Sequence, residues 1–178
     1  MKKIIILILF ATMWLVGTVY AINIDKEEMS IGGIQIGSSL DYVEQIYGQP
    51  VNKQTSIDNN GIIDNYNNLL VITASKGSET TFVNSIICRE GNLSTPSGFA
   101  VGTPFTNVIA KYPKGSILTE ERAKRMVYSY QSNYTYYSYH CMYHWSGYNA
   151  IDCYMIFAVD QKGIIQEIQC KGSVVCVD

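Results

Sequence analysis

Between Tyr128 and Tyr148 the chain carries eight of its fourteen tyrosines: Tyr128, Tyr130, Tyr134, Tyr136, Tyr137, Tyr139, Tyr143 and Tyr148. A spacing close to two puts alternate side chains on opposite faces of a strand. Tyr139, Cys141, Tyr143 and Trp145 then share one face, and His140, Met142 and His144 the other. Tyrosine supplies broad, rigid contact area at low entropic cost, which makes Tyr128, Tyr130, Tyr134, Tyr136, Tyr139, Tyr143 and Trp145 candidate binding residues. The same pattern serves a cross-strand aromatic ladder that only stabilises a sheet, and it also suits stacking on a saccharide.

His140, Met142 and His144 have a spacing that a soft metal could use, yet two histidines without a visible third strong ligand read as surface residues of an aromatic strand. No metal or other cofactor is expected. A nucleophile such as Cys141 would have to take its base from His140 or His144, which lie next to it or on the same strand and seldom meet it in working geometry. The carboxylates are scattered, and a pair such as Asp152 with Glu167 has no motif behind it. The chain therefore reads as a protein without catalytic residues, not an enzyme.

Five cysteines, Cys88, Cys141, Cys153, Cys170 and Cys176, all lie at or beyond residue 88, with no Cys-x-x-Cys among them. Their number is odd, so at least one stays free or pairs outside the chain. Asp160-Gln161-Lys162-Gly163 reads as a hairpin turn. With Val159 opposite Ile164, Cys153 falls opposite Cys170, the expected disulfide. The competing set is Cys141–Cys153, brought together by a turn at Ser146-Gly147, with Cys170–Cys176. Cys88 is the candidate free thiol or inter-repeat link.

The elements that position these residues start after an export signal. Lys2 and Lys3 precede an apolar run from Ile4 to Val16, and Val19-Tyr20-Ala21 fits a cleavage site, so residues 1–21 are expected to be a signal peptide. The run is short for a span, and charges return at Asp25, Lys26, Glu27 and Glu28, so no stable membrane span is expected after cleavage. An extracytoplasmic location, secreted or periplasmic, follows, where disulfides persist. The 13 basic residues are outnumbered by 15 acidic ones. With no basic patch beyond Arg122-Ala123-Lys124-Arg125, nucleic acid is not an expected partner.

Internal similarity organises the rest. The stretch Ile34–Tyr47 aligns without gaps on Phe99–Tyr112, each with a glycine, a hydroxyl residue and apolar positions at helical spacing that end in tyrosine. Ser38 or Thr103 is placed to cap a helix, with apolar faces Leu40, Val43, Ile46, Tyr47 and Phe105, Val108, Ile109, Tyr112. Phe82–Cys88 then matches Ile164–Cys170, each preceded by an apolar run, Leu69–Ala74 or Ile151–Val159. The expected fold is α+β: two tandem units, each a short helix followed by a roughly three-stranded antiparallel sheet. The divisions are a lead-in at 22–32, unit one at 33–91, a linker at 92–98, and unit two at 99–178 with a tyrosine-rich insert at 116–149.

Gly-Ile-Gln-Ile-Gly-Ser-Ser-Leu-x-x-Val-x-x-Ile-Tyr-Gly-x-Pro from Gly33, followed by strands and a second Val-Gly motif ending at Tyr112, resembles the BamE/SmpA-OmlA-like family and the β-lactamase inhibitory proteins. The resemblance spans Gly33 to about Cys170. It implies an exported, non-enzymatic module that binds other proteins. The alternatives are a small carbohydrate-active or hydrolytic protein that uses the aromatic insert, and a structural component of the cell envelope.

Overall fold

Runs of β-branched and aromatic residues with little glycine inside them favour extended chain, and strands dominate the molecule. The structure, a computed structural model, describes residues 24–55, 61–66, 70–76, 81–90, 93–143 and 151–173. The expected signal segment, His144, Trp145, the Ser146-Gly147 turn, Tyr148 and Cys176 lie outside the described residues. A 3-10 turn at Lys26–Glu28 leads into β1 (Ser30–Ile31), β2 (Ile34–Gln35) and α1 (Leu40–Tyr47). There follow β3 (Asn52–Thr55), β4 (Gly61–Tyr66), β5 (Leu70–Lys76) and β6 (Thr81–Cys88). The second half has α2 (Thr106–Lys111), β7 (Ser116–Ile117), α3 (Glu120–Met126), β8 (Thr135–Tyr143), β9 (Ile151–Val159) and β10 (Ile165–Ser173).

Eight of these strands form one antiparallel sheet in the order β3-β4-β5-β6-β10-β9-β8-β7, while β1 and β2 make a separate hairpin. This corrects the expectation of two tandem α+β units with three strands each: the chain is mostly β, with few helices. The cause lies at the seam. The closing strands of the two expected units, β6 and β10, pair with each other, setting Ile168 opposite Cys88 and Cys170 opposite Ile86. Joining them satisfies two rows of backbone groups that separate sheets would leave as open edges.

Local signals are also adjusted. Ser39 caps α1, its hydroxyl accepting from the Tyr42 amide at 3.2 Å, while the expected cap Ser38 accepts from the Gln35 amide instead. α2 has no side-chain cap, and the Thr103 hydroxyl donates to the Ala100 carbonyl at 2.7 Å. Ile46 and Ile109 are exposed, so each helix buries a narrower stripe than its apolar spacing suggests, Leu40 and Val43 in α1 and Val108 in α2.

The β9–β10 turn decides the cysteine geometry. The Asp160 carboxylate accepts from the amides of Lys162 and Ile164 at 2.8 and 2.9 Å, and Gly163 turns with φ 78°. Ile164 is taken into the turn, so Val159 faces Ile165, and a further irregularity between Ile165 and Glu167 shifts the register again. Two one-residue shifts preserve the face but change the partner. Cys170 faces Met155 and Cys153 faces Gly172, so the expected Cys153–Cys170 pair is not opposed. Cys153 is opposed by Cys141 on β8. Cys88, Cys141, Cys153 and Cys170 are all buried.

The two faces of the sheet bury different partners. One packs Ile72, Ile86, Met155, Phe157 and Ile168 against β1, β2, α1 and α2, which contribute Ile31, Ile34, Val43 and Val108. On the other, Tyr136, Ile156 and Ala158 meet Leu118, Ala123 and Val127 in and around α3.

One residue on the first face is out of keeping with it. Asp64 is fully buried, and neither of its carboxylate oxygens has a hydrogen-bond partner among the described residues; nor does the buried Tyr66 hydroxyl. Lys53 Nζ stands 3.9 Å from Asp64 and 3.6 Å from Glu44. Burial pushes the Asp64 carboxyl above its ordinary range, with Lys53 opposing and Glu44 adding. Burial, aided by Asp64, pushes Tyr66 up to about 12. A carboxyl raised in the folded state favours folding most when protonated, so its contribution weakens as pH rises from about 4 through the raised value. Asp64→Asn is therefore expected to raise the melting temperature at pH 7 and to change it less at about pH 4. Thermal unfolding at both values checks this; a variant less stable than the parent at pH 7 would contradict it.

Candidate functional site: a polar cleft beside the third helix

Period-two alternation sends Asn52 and Gln54 of β3 to the face opposite α1 and α2, and the register sets Asn52 beside Asn65 and Gln54 beside Ile63. Among the described residues, the apolar cluster under α3 takes nothing from β3 or β4. Asn52 and Gln54 are accordingly exposed, with Ile63 and Asn65 half-buried. Arg89, one residue past β6, and Tyr128, just past α3, form the wall. These six residues line a cleft of about 110 Å³.

A buried polar chain fixes that wall. Thr119 caps α3 by accepting from the Arg122 amide at 3.4 Å, and the helix stops at Val127. Lys171 Nζ donates to the Met126 carbonyl at 2.6 Å, and burial holds this amine below its ordinary range. The Tyr128 amide donates to Gln169 Oε1 at 3.2 Å, and the Gln169 amide donates to Glu167. Glu167 in turn accepts from Arg89 Nε at 2.5 Å. Glu167 and Gln169 are both buried, so each depends on its partners for compensation. The Arg89 guanidinium lies 5.4 Å from the centre of the Tyr128 ring. Its Nη2 is buried and has no acceptor among the described residues.

The chemistry available is recognition. Arginine offers a donor in a fixed plane, the amides of Asn52, Gln54 and Asn65 offer both donors and acceptors, and Tyr128 offers a ring face. Glu167 already balances the arginine charge. Among the described residues no nucleophile with a neighbouring base lines the cleft.

The structure disperses the expected binding residues. Tyr128 is 48% exposed. Tyr130 is half-buried, stacked on Tyr136 at 5.6 Å with Lys124 Nζ 5.3 Å from its ring centre, and Tyr134 is half-buried in the same cluster. Tyr136 is buried, its hydroxyl accepting from the Gln131 amide at 2.8 Å. Tyr139 is buried on the opposite face, edge-on to Tyr112 and Phe157. Tyr143 ends β8, and Trp145 lies outside the described residues. Among those whose side chains are described, Tyr128 alone lines the cleft.

Two other clusters invite a chemical reading. His140 pairs with Asp152 at 3.1 Å and packs on Tyr154, on the face it shares with Met142. Among the described residues no three His, Cys, Asp or Glu side chains are grouped to hold a metal. Near the linker, the Ser97 hydroxyl donates to buried Glu28, and Lys111 Nζ donates to Ser97 and reaches Glu28 at 3.4 Å. A serine–lysine pair can be nucleophilic only if the lysine is neutral. Here the Tyr112 hydrogen bond, with Glu28 adding, pushes Lys111 up, so it stays a cation and the cluster ties the lead-in to α2. Tyr112 donates to Asp25 at 2.8 Å in the same tie.

Sequence reasoning missed Asn52, Gln54, Asn65 and Arg89. No signal in the sequence could have found them: β3, Asn52-Lys53-Gln54-Thr55, is polar and exposed at every position, so no alternation marks it as a strand. Among the described residues no helix is long and apolar enough to cross a membrane. No family model, curated protein or solved structure matches the chain.

Proposed function

We propose that the chain is a non-enzymatic, extracytoplasmic binding module whose partner is another protein and whose contact is centred on the Arg89–Tyr128 cleft. The observation that carries this reading is the arginine itself: held by Glu167 through Nε, its side chain stays about one-third exposed beside an exposed tyrosine. Arginine and tyrosine are among the residues that dominate interface energies, above all where surrounding groups exclude water. The amide floor can meet main-chain carbonyls and amides of a partner. The resemblance to exported binding families and the leader-like start of the chain support the compartment. A saccharide is the second reading, because an amide-lined floor and a tyrosine ring also suit hydroxyls and a sugar face.

The test separates the two partner classes. The full chain, immobilised, is exposed to envelope and host fractions. Capture is expected to vanish after protease treatment of the fractions and to survive removal of glycans. Loss on glycan removal alone would replace the protein reading with the saccharide one.

A further inference from the structure

We propose that Cys141 and Cys153 form a disulfide that locks β8 to β9. They are directly opposed in the strand register, between the pairs His140–Tyr154 and Met142–Asp152. Directly opposed residues of antiparallel strands have Cα atoms roughly 4.5–5.5 Å apart, inside the roughly 4.4–6.8 Å that a disulfide spans. Both side chains point into the same core face, and both are 1% exposed. The two thiols are close enough to hydrogen-bond each other, and that contact, with burial adding, pushes Cys141 far above the ordinary thiol range. As thiols the pair is therefore unreactive towards external substrates.

Neither of the other described cysteines is directly opposed to a cysteine in the strand register. Cys170 faces Met155 and Ile86, and Cys88 faces Ile168 and Leu70. The Cys88 thiol donates to the Glu90 carbonyl at 3.3 Å.

Oxidation removes two protons and two electrons from the pair. The acceptor is a disulfide donor, either a small-molecule disulfide or the exchange disulfide of an oxidoreductase. One thiolate attacks the donor to give a mixed disulfide, and the second displaces it, so the donor leaves as two thiols. Both sulfurs are enclosed in the finished sheet, so exchange belongs to the stage before β8 and β9 close over them. Reduction of the completed bond needs local opening of the same strands. The cross-link acts mainly on the unfolded chain by closing the loop between the two strands. It stands on the strand register alone and does not depend on the binding reading.

The full chain is folded with oxidised and reduced glutathione, its remaining thiols are alkylated in denaturant, and it is digested at acid pH for mass mapping. A linked peptide pair containing Cys141 and Cys153 is expected. Finding either residue alkylated, or Cys153 joined to any other cysteine, overturns the proposal. Reductant is expected to lower the melting temperature by roughly 6–12 °C in the parent. It should leave the doubly substituted Cys141→Ala, Cys153→Ala protein unmoved. An equal shift in both proteins, or none in the parent, would count against the cross-link, and the mass map decides even if the variant fails to fold.

Discussion

Phe157→Ala is expected to cost about 3–5 kcal/mol of folding stability, the range for removing a large aromatic from a packed core. Phe157 is completely buried, and its ring contacts are distributed over the molecule: Phe99 at 6.1 Å, Phe105 at 5.7 Å and Tyr139 at 5.8 Å. Phe99 and Phe105 flank the approach to α2, whereas Tyr139 belongs to the neighbouring strand β8. A cavity at this point weakens the helix layer and the sheet together. Because β6 and β10 join the halves into one sheet with one shared apolar cluster, the loss should move a single unfolding transition. Urea denaturation followed by far-ultraviolet circular dichroism and by tyrosine fluorescence checks this. Two transitions, with only one displaced, would mean that the halves fold separately.

The second large effect concerns binding. Arg89→Lys should lower partner affinity by roughly tenfold or more, with the melting temperature within a few degrees of the parent. Lysine keeps a positive charge for buried Glu167 but loses the planar fork that presents a second donor. Arg89→Ala is a less informative change, because it also leaves Glu167 buried without its cation, a loss that itself destabilises the fold. Tyr128→Ala complements the lysine variant. The ring is exposed and its anchoring is through the main-chain amide to Gln169, so truncation removes contact area without cutting the chain of hydrogen bonds. Loss of about 2 kcal/mol, a factor near 30 in Kd, is expected where such a residue sits at the centre of an interface.

How much of this was legible in the sequence depends on the range of the interaction. β9 runs from Ile151 to Val159, the bounds of its apolar run, and α1 and α2 fall where apolar residues recur at helical spacing. The seam between β6 and β10 is a contact between segments far apart in the chain, and local periodicity carries no record of it. β3 was invisible for the opposite reason: Asn52 to Thr55 are all exposed, so no alternation marks the strand. The cysteine pairing failed on two small events, the capture of Ile164 by Asp160 and the irregularity after Ile165, each worth one residue of register.

The tyrosines show the same limit. Their alternation correctly separates Tyr139 and Cys141 from His140 and Met142. Which tyrosine meets solvent depends on α3, whose residues 120–126 lie within the insert and cover Tyr136. Arg89 follows the apolar strand β6 as an ordinary boundary residue. Only the fold brings it to Tyr128 and gives it Glu167 as a buried partner.

The most direct measurement compares partner binding by four versions of the full chain: the parent, Arg89→Lys, Tyr128→Ala, and Tyr130→Ser with Tyr134→Ser. Using a partner recovered by the parent, with Kd measured by surface plasmon resonance, the first two variants should each lose roughly tenfold or more. The tyrosine pair beside α3 should bind within a factor of about two of the parent. Equal binding by Arg89→Lys and Tyr128→Ala, with loss confined to the Tyr130 and Tyr134 variant, would place the contact on the aromatic insert and contradict the account.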